Sequence, residues 1–476
     1  CVFVPFYSRS MVYTMPEFLE RRYNPQSRTI LSVISLVSYV LTKVAVTVYA
    51  GGLVFQQVFG IKELWGIDFF WIAAIGLVVL TALYTIFGGM KSVLYTSVLQ
   101  TPILLLGSLI ILVLGFKELG GWDEMMRVCG AVTVNDYGDT MTNLIRSNDD
   151  ANFPWLGALI GSAIIGFWYW CTDQFIVQRV LSGKNEKEAR RGTIFGAYLK
   201  LLPVFLFLIP GMIAFALHQK YIGAGGEGFL PMLANGTANA DAAFPTLVAK
   251  LLPAGVKGLG VCGILAALMS SLASLFNSSA MLFTIDFYKR FRPETPEKKL
   301  VGIGQIATVV IVILGILWIP IMRSVGDVLY TYLQDVQSVL APGIAAAFLL
   351  GICWKRTSAQ GGMWGLIAGM IIGLTRLGAK VYYSNAGEVA DSTFKYLFYD
   401  MNWLFFCGWM FLFCIIVVIV VSLATEAPTA EKIQGLVFGT ATKEQKAATR
   451  ASWDHWDIIH TVIILAITGA FYWYFW

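Results

Sequence analysis

The stretch GFWYWCTDQFIVQR, residues 166–179, places polar and charged side chains directly after consecutive aromatic residues in an otherwise apolar run. If the stretch is helical, Tyr169 and Asp173 share one face, and Trp170 and Gln174 share the neighbouring face. An aromatic ring can cover the C–H face of a sugar while amide and backbone groups bond its hydroxyls. The pattern is therefore typical either of a sugar site or of an aromatic belt at the membrane surface, with the charged groups near the headgroups.

Two further polar side chains interrupt apolar runs. Lys200 in GAYLKLLP lies three residues before Pro203, which cannot donate to the carbonyl of Leu199. A ligand or water could use the ammonium and this carbonyl, unless the lysine snorkels or pairs with an acid such as Asp173. Gln334 in TYLQDVQSVLAPG offers donors and an acceptor, which suit a hydroxylated ligand.

The segment ALMSSLASLFNSSA, residues 267–280, crowds hydroxyl groups along one long apolar run. Hydroxyl and carbonyl oxygens are the ligands that a hard monovalent cation prefers. Ser270 and Ser271 could supply side-chain oxygens, and Ala267 a backbone oxygen. Small residues are also the usual packing surface between membrane helices, so helix packing is the alternative interpretation.

The composition indicates a membrane protein. Charged residues make up 13% of the 476 residues and apolar residues 57%, and the mean hydropathy is +0.69, whereas an ordinary soluble domain has roughly 25% charged residues. We therefore expect an all-α polytopic protein in a lipid bilayer. The net charge of +5 fits basic cytoplasmic loops better than a nucleic-acid partner. No GxSxG, HExxH or phosphate-loop motif is present, so we do not expect an enzyme.

Apolar runs bounded by charge, glycine or proline predict eleven spans in one transmembrane domain over 1–476. The predicted spans are 28–60, 66–88, 92–116, 154–178, 193–217, 253–287, 300–322, 327–353, 361–380, 399–424 and 455–476. Basic residues are concentrated in 179–191 and 289–299, which predicts that these loops face the cytoplasm. The acidic connection 117–153 and the segment 218–250, poor in basic residues, are predicted to face outward.

Several of these stretches together resemble the sodium:solute symporter family, and most closely its sodium/glucose cotransporter branch. The motifs that carry the resemblance are YTMPEFLERR, WYWCTDQFIVQR, YLKLLP, MSSLASLFNSSA followed by TIDFYK, and APGIAAAFLLGICWKR. They occur in the family's order and span nearly the whole chain. The resemblance implies a LeuT-like fold, built on a five-plus-five inverted repeat, in a multi-pass protein of the cell membrane that works by alternating access.

The resemblance also assigns roles to individual residues. It implies sugar contacts for Tyr169, Trp170, Lys200 and Gln334. Tyr169 would be the inner gate beneath the sugar ring, with Trp170 beside it. The carbonyl of Ala267 and the hydroxyls of Ser270 and Ser271 would bind Na⁺, the coupling ion.

The chain departs from the family's pattern in three places. A YTS motif with Ser97 stands where sugar cotransporters commonly carry a carboxylate on the sodium route, which puts a second sodium site in question. Gly166 replaces a polar side chain that sugar sites of the family often present. The opening CVFVPFY resembles the tail of a helix, so we expect the family's first two helices and most of the third to precede Cys1. This chain would then lack one wall of the sugar pocket and half of the sodium site, and we expect that it does not transport without those helices.

The function expected from the resemblance is sodium-coupled symport of a monosaccharide such as glucose or galactose. Symport of myo-inositol or another organic solute is the nearest alternative. A sugar sensor or leak channel on the same scaffold is the alternative from another class, because binding residues alone do not prove coupled movement.

Overall fold

The structure, a computed structural model, is almost entirely helical and describes residues 3–10, 12–233, 236–325, 328–386 and 390–475. The helices up to residue 281 are α1 (Phe3–Ser10), α2 (Met15–Arg22), α3 (Pro25–Ser38), α4 (Ala45–Phe59), α5 (Phe69–Leu119), α6 (Trp122–Gly130), α7 (Trp155–Phe167), α8 (Gln174–Leu181), α9 (Glu186–Pro203), α10 (Ile209–Gly223), α11 (Ala243–Leu251) and α12 (Ala254–Met281). The later helices are α13 (Lys289–Phe291), α14 (Glu297–Val325), α15 (Leu329–Cys353), α16 (Ala359–Asn385), α17 (Thr393–Lys395), α18 (Trp403–Ala424), α19 (Ala430–Ile433), α20 (Lys443–Ala451) and α21 (His455–Tyr474).

Short π-helical segments extend or join several of these helices. They are Tyr39–Val44, Trp168–Thr172, Val204–Leu208, Leu282–Tyr288 and Tyr396–Asp400. Such segments widen the helix locally and are frequent at functional sites. A 3₁₀ turn covers Ala240–Ala242, and a hairpin of two short antiparallel strands, β1 (Glu63–Leu64) and β2 (Ile67–Asp68), precedes α5.

Within the described residues, ten helical stretches are long and apolar enough to cross a membrane. They are Pro25–Phe59, Val93–Leu119, Trp155–Thr172, Glu186–Gly223, Ala254–Phe291, Glu297–Met322, Leu329–Cys353, Ala359–Asn385, Trp403–Ala424 and His455–Tyr474. The eleven predicted spans overlap these ten and one shorter apolar stretch, Phe69–Thr85. The apolar runs therefore located the helices, although several helices extend beyond the predicted bounds, and the predicted spans 66–88 and 92–116 both fall on the single helix α5.

The chain folds as two compact units. The first comprises Cys1–Thr42, Asn148–Ala197 and Ser278–Ile467. Its core is made by α7, α15, α16 and α18, which pack against one another. Small residues allow this contact: a Cβ atom on Gly369 would lie 2.6 Å from the Cα of Gly343, so α15 and α16 meet backbone to backbone.

Helix α2, which carries the YTMPEFLERR motif, is fastened to α15 in the first unit. Arg22 donates from Nε to the carbonyl of Gly351 at 2.7 Å, and the Tyr23 hydroxyl donates to the carbonyl of Ala347 at 2.7 Å. Burial raises the pKa of Tyr23 to about 12. Thr14 caps α2 and donates to Asp286 at 2.8 Å, which joins the YTMPEFLERR and TIDFYK motifs.

The second unit comprises Lys43–Ser147, Tyr198–Asn277 and Thr468–Trp476. Its core consists of buried aliphatic and aromatic side chains from α4, α5, α6, α10, α11 and α12, among them Ile111, Ile213 and Leu247. Between membrane helices such side chains stabilise the unit through close van der Waals packing and not through transfer from water. The core fixes the position of α12, the helix with the serine-rich segment.

Candidate substrate and sodium sites

The aromatic stretch singled out in the sequence forms a break between two helices of the first unit. Helix α7 ends at Phe167, the π-helical segment Trp168–Thr172 follows, and Asp173 is extended with φ −77° and ψ 123° before α8 starts. The structure differs here from the continuous helical face predicted for Tyr169 and Asp173. Asp173 starts a new helix instead, because its side chain accepts a hydrogen bond from the backbone N–H of Phe175 at 3.1 Å.

Asp173 is also bonded from another helical segment of the same unit. The hydroxyl of Tyr39 donates to Asp173 Oδ1 at 3.0 Å and lies 3.0 Å from the backbone nitrogen of Phe175. Asp173 is only 4% exposed. The carboxylate therefore stabilises the start of α8 as a buried cap.

Gln174 ties the same break to α2. Its Oε1 accepts from the backbone N–H of Met15 at 2.8 Å, and its Nε2 donates to the carbonyl of Tyr13 at 3.3 Å. The side chain is 1% exposed. Both ends of the amide are used by the protein, so Gln174 positions the break and is not offered to a ligand.

Tyr169 and Trp170 lie in the π-helical segment just before the break. Their ring centroids are 5.2 Å apart with an interplanar angle of 85°, an edge-to-face pair. Tyr169 is half-buried, whereas Trp170 is exposed. The pair combines a fixed tyrosine with an accessible indole face, and an aromatic face of this kind can cover the apolar side of a ring-shaped solute.

Helix α15, which carries Gln334, packs against this π-helical segment. The amide nitrogen of Gln334 donates to the Tyr330 hydroxyl at 3.1 Å, one turn earlier in the helix, and the side chain is half-buried. The structure therefore places the helix that carries Gln334 in contact with the segment that carries Tyr169 and Trp170.

A buried ionic cluster next to Gln334 was missed by the sequence reasoning. Asp335 pairs with Lys380, and Arg376 approaches Asp335 Oδ1 at 3.8 Å. The Arg376 guanidinium also donates to backbone carbonyls of the Tyr396–Asp400 region and lies 4.0 Å from the centroid of the Phe406 ring. The signal was present, because Arg376 and Lys380 are four residues apart in a predicted span and so share one helical face.

In the second unit, the predicted sodium ligands lie on α12. Ser270 Oγ is 2.9 Å from Ser97 Oγ on α5, and Ser274 donates to the carbonyl of Ser270 at 3.0 Å. Ala267 is half-buried and Ser271 is exposed. The side chain at the YTS position therefore contacts a predicted ligand directly, and its hydroxyl is an oxygen of the type that a hard cation accepts.

Lys200 also belongs to the second unit. It lies on α9 three residues before Pro203, and the π-helical segment Val204–Leu208 follows the proline. The missing N–H of Pro203 thus coincides with a change in helical form, as the residue pattern suggested. The Lys200 side chain is exposed in the structure.

A sequence model of the sodium:solute symporter family matches residues 1–369. Among curated proteins, the sodium/mannose cotransporter of Bos taurus is 36% identical over all of this chain and 82% of its own length. The sodium/glucose cotransporter 1 of Ovis aries is 37% identical over 89% of this chain, and the human sodium/myo-inositol cotransporter 2 is 35% identical over 92%. The matched regions make up 66% of the length of each of these two relatives.

The fold is also that of a solved transporter. The structure matches a substrate-bound, outward-open Na⁺-coupled sialic acid symporter with a TM-score of 0.66 and 21% identity, over 90% of this chain and 80% of the other. The predicted LeuT-like fold is thereby confirmed. Fold and family define a multi-pass membrane transporter that uses Na⁺ as coupling ion, and not an enzyme. The chain belongs to the sodium:solute symporter family.

Proposed function

We propose that this symporter carries a monosaccharide together with Na⁺ by alternating access. The observation that supports the proposal best is the packing of α15 against the aromatic segment Trp168–Thr172. An aromatic face and an amide on adjoining elements match the two kinds of surface on a sugar ring, its C–H face and its hydroxyls. The mannose and glucose cotransporters among the relatives have solutes of this class.

In the proposed mechanism, Tyr169 and Trp170 cover one face of the solute, and Gln334 bonds its hydroxyls. Lys200, in the second unit, is proposed as a further hydroxyl-binding group on the resemblance alone. A buried hydroxyl that loses its partner costs about 1–3 kcal/mol, so each polar contact would discriminate against a solute lacking the matching hydroxyl.

For the ion, we propose that the Ala267 carbonyl and the Ser270 and Ser271 hydroxyls bind Na⁺. The contact between Ser97 and Ser270 supports this assignment, because it adds a further oxygen beside Ser270 without adding a charge. Na⁺ supplies the driving force by moving down its gradient together with the solute. The residues of α12 supply neutral oxygens that replace part of its water shell.

Symport of myo-inositol is the second candidate, and a specific observation favours it. The human sodium/myo-inositol cotransporter 2 is nearly as similar to this chain as the glucose and mannose cotransporters are. Inositol presents the same combination of apolar ring faces and hydroxyl edges, so the aromatic and amide groups described above would serve it equally well.

The test is equilibrium binding of radiolabelled mannose, glucose, galactose and myo-inositol to the purified chain extended by the helices expected to precede Cys1, in sodium and in choline buffer. The proposal predicts sodium-dependent binding of at least one hexose, weakened by Gln334→Leu. Sodium-dependent binding of myo-inositol alone would select the second candidate. If none of the four solutes bound in sodium buffer, both candidate functions would be contradicted.

A further inference from the structure

A polar cleft in the second unit has no role in the function proposed above. It lies between the C-terminal end of α4, the segment 227–232 and α11, and has a volume of about 530 Å³. This is within the range of roughly 300–1,000 Å³ that small-molecule sites occupy. The segment 227–232 belongs to the connection predicted to face outward.

The wall formed by 227–232 is held in place by both neighbouring helices. The backbone N–H of Leu230 donates to His218 Nδ1 on α10 at 3.0 Å, and Lys250 Nζ on α11 donates to the carbonyl of Phe229 at 2.8 Å. A Cβ atom on Gly228 would lie 2.2 Å from the His218 ring, so only glycine permits this approach. The wall is thus preformed, and a ligand would not have to order it.

One lining group points to a ligand. Thr246 on α11 is 4% exposed, and its Oγ1 has no hydrogen-bond partner among the described residues. A buried hydroxyl without a partner costs about 1–3 kcal/mol. Rotation of the Thr246 side chain about χ1 would bring Oγ1 into the cleft, where a bound hydroxyl group can both donate to it and accept from it and so remove this cost.

The remaining lining indicates the chemistry of the occupant. Glu227 and the Lys250 ammonium supply one charge of each sign, and Gln57 supplies an amide. A free cation would meet Lys250 and a free anion would meet Glu227, so a molecule without net charge fits best. Pro231 and Met232 offer apolar contact beside these polar groups.

We propose that this cleft is a second binding site, for a small neutral polyol, that works without sodium. Thr246, Gln57 and Glu227 bond its hydroxyls, and the apolar lining contacts its C–H groups. Only the choice of a polyol related to the transported solute rests on the proposed function. The site itself depends on groups of the second unit that the proposed substrate and sodium sites do not use.

The test uses the full chain in choline buffer, where a sodium-dependent transport site is not engaged. Binding of myo-inositol, of mannose and of glycine, a small zwitterion, is measured by saturation-transfer NMR. We expect sodium-independent binding that Thr246→Val and Glu227→Gln each weaken at least tenfold. Ala249→Trp, which fills the cleft without removing a polar group, should abolish it. Glu118→Gln is the matched control, because it removes a carboxylate of the same unit that does not line the cleft.

Each possible outcome supports or overturns the proposed second site. Absence of binding in choline, or equal binding by wild type and the folded cleft variants, would overturn the second site. Stronger binding of glycine than of either polyol would overturn the assigned ligand class. The proposed function is tested separately by sodium-dependent binding to the Thr246→Val variant. Loss of the cleft site should leave this sodium-dependent binding intact.

Discussion

Ser97 on α5 and Ser270 on α12 place their hydroxyl oxygens 2.9 Å apart. The sequence identified the two residues for different reasons, Ser270 as a sodium ligand and Ser97 as the residue where related sugar cotransporters commonly carry a carboxylate. Their contact joins the two observations. A cation near Ser270 would be surrounded at this point by neutral oxygens, and we expect a weaker ion site than a carboxylate would give.

Ser270→Ala should raise the sodium concentration needed for half-maximal uptake about fivefold, since one oxygen ligand worth roughly 1 kcal/mol is lost. Ser97→Asp should lower it, because a negative charge would then face the cation. The measurement is the sodium dependence of solute uptake. Ser108→Ala, on the same helix as Ser97, is the control, since the Ser108 hydroxyl has no partner among the described residues. An unchanged sodium dependence in Ser270→Ala would remove this residue from the site.

Gln334→Leu should weaken solute binding by about 1–3 kcal/mol, because a solute hydroxyl would lose its partner in a partly buried place. Tyr330→Phe is the informative companion, since it removes only the hydroxyl to which the Gln334 amide donates. We expect a smaller loss from Tyr330→Phe, through orientation of the amide. Dissociation constants of the solute in saturating sodium measure the loss of affinity in both variants. Equal affinity of wild type and Gln334→Leu for all tested solutes would show that Gln334 is structural.

Asp173→Ala should lower the free energy of unfolding by about 1 kcal/mol or more, because α8 loses its N-terminal cap and Tyr39 loses its acceptor. Asp173→Asn should cost less, since asparagine also caps helices well. Thermal unfolding in detergent compares the two variants. If Asp173→Asn were as damaging as Asp173→Ala, the negative charge and not the cap would be the important property.

The cluster of Asp335, Arg376 and Lys380 predicts unequal effects for its members. Asp335→Asn leaves two cations facing each other in a buried place, whereas Lys380→Met leaves Asp335 with Arg376. We therefore expect Asp335→Asn to be the more destabilising, by an amount on the order of 3–5 kcal/mol. The double variant Asp335→Asn/Lys380→Met should recover part of the stability that Asp335→Asn alone loses. Melting temperatures of the variants measure this order. A higher melting temperature for Asp335→Asn than for Lys380→Met would contradict it.

The spans could be predicted from the sequence because a bilayer requires long apolar helices, and hydropathy alone locates them. Phe69–Thr85 is the exception among the eleven, since the described stretch is shorter than the others. The motifs likewise indicated the family, and the serine-rich helix was recognised by its composition.

The break at Asp173 could not be predicted from helical spacing. Whether an aspartate continues a helix or caps the next one depends on its tertiary partners, and Tyr39 lies 134 residues away in the sequence. The shared helical face of Arg376 and Lys380 could be read from their spacing, but their pairing with Asp335 could not, because they lie on another helix. The contact of Ser97 with Ser270 also joins distant segments, and no local pattern indicates it.

The most direct test of sodium-coupled symport is solute uptake into vesicles that contain this chain extended by the helices expected to precede Cys1, with an inward sodium gradient or with choline in its place. Sodium-coupled symport predicts that glucose, mannose or myo-inositol accumulates above its external concentration in sodium only. It also predicts that a sodium ionophore abolishes the accumulation. Equilibration of the solute at the same rate in choline, or uptake of none of the three in sodium, would contradict sodium-coupled symport of a hydroxylated ring.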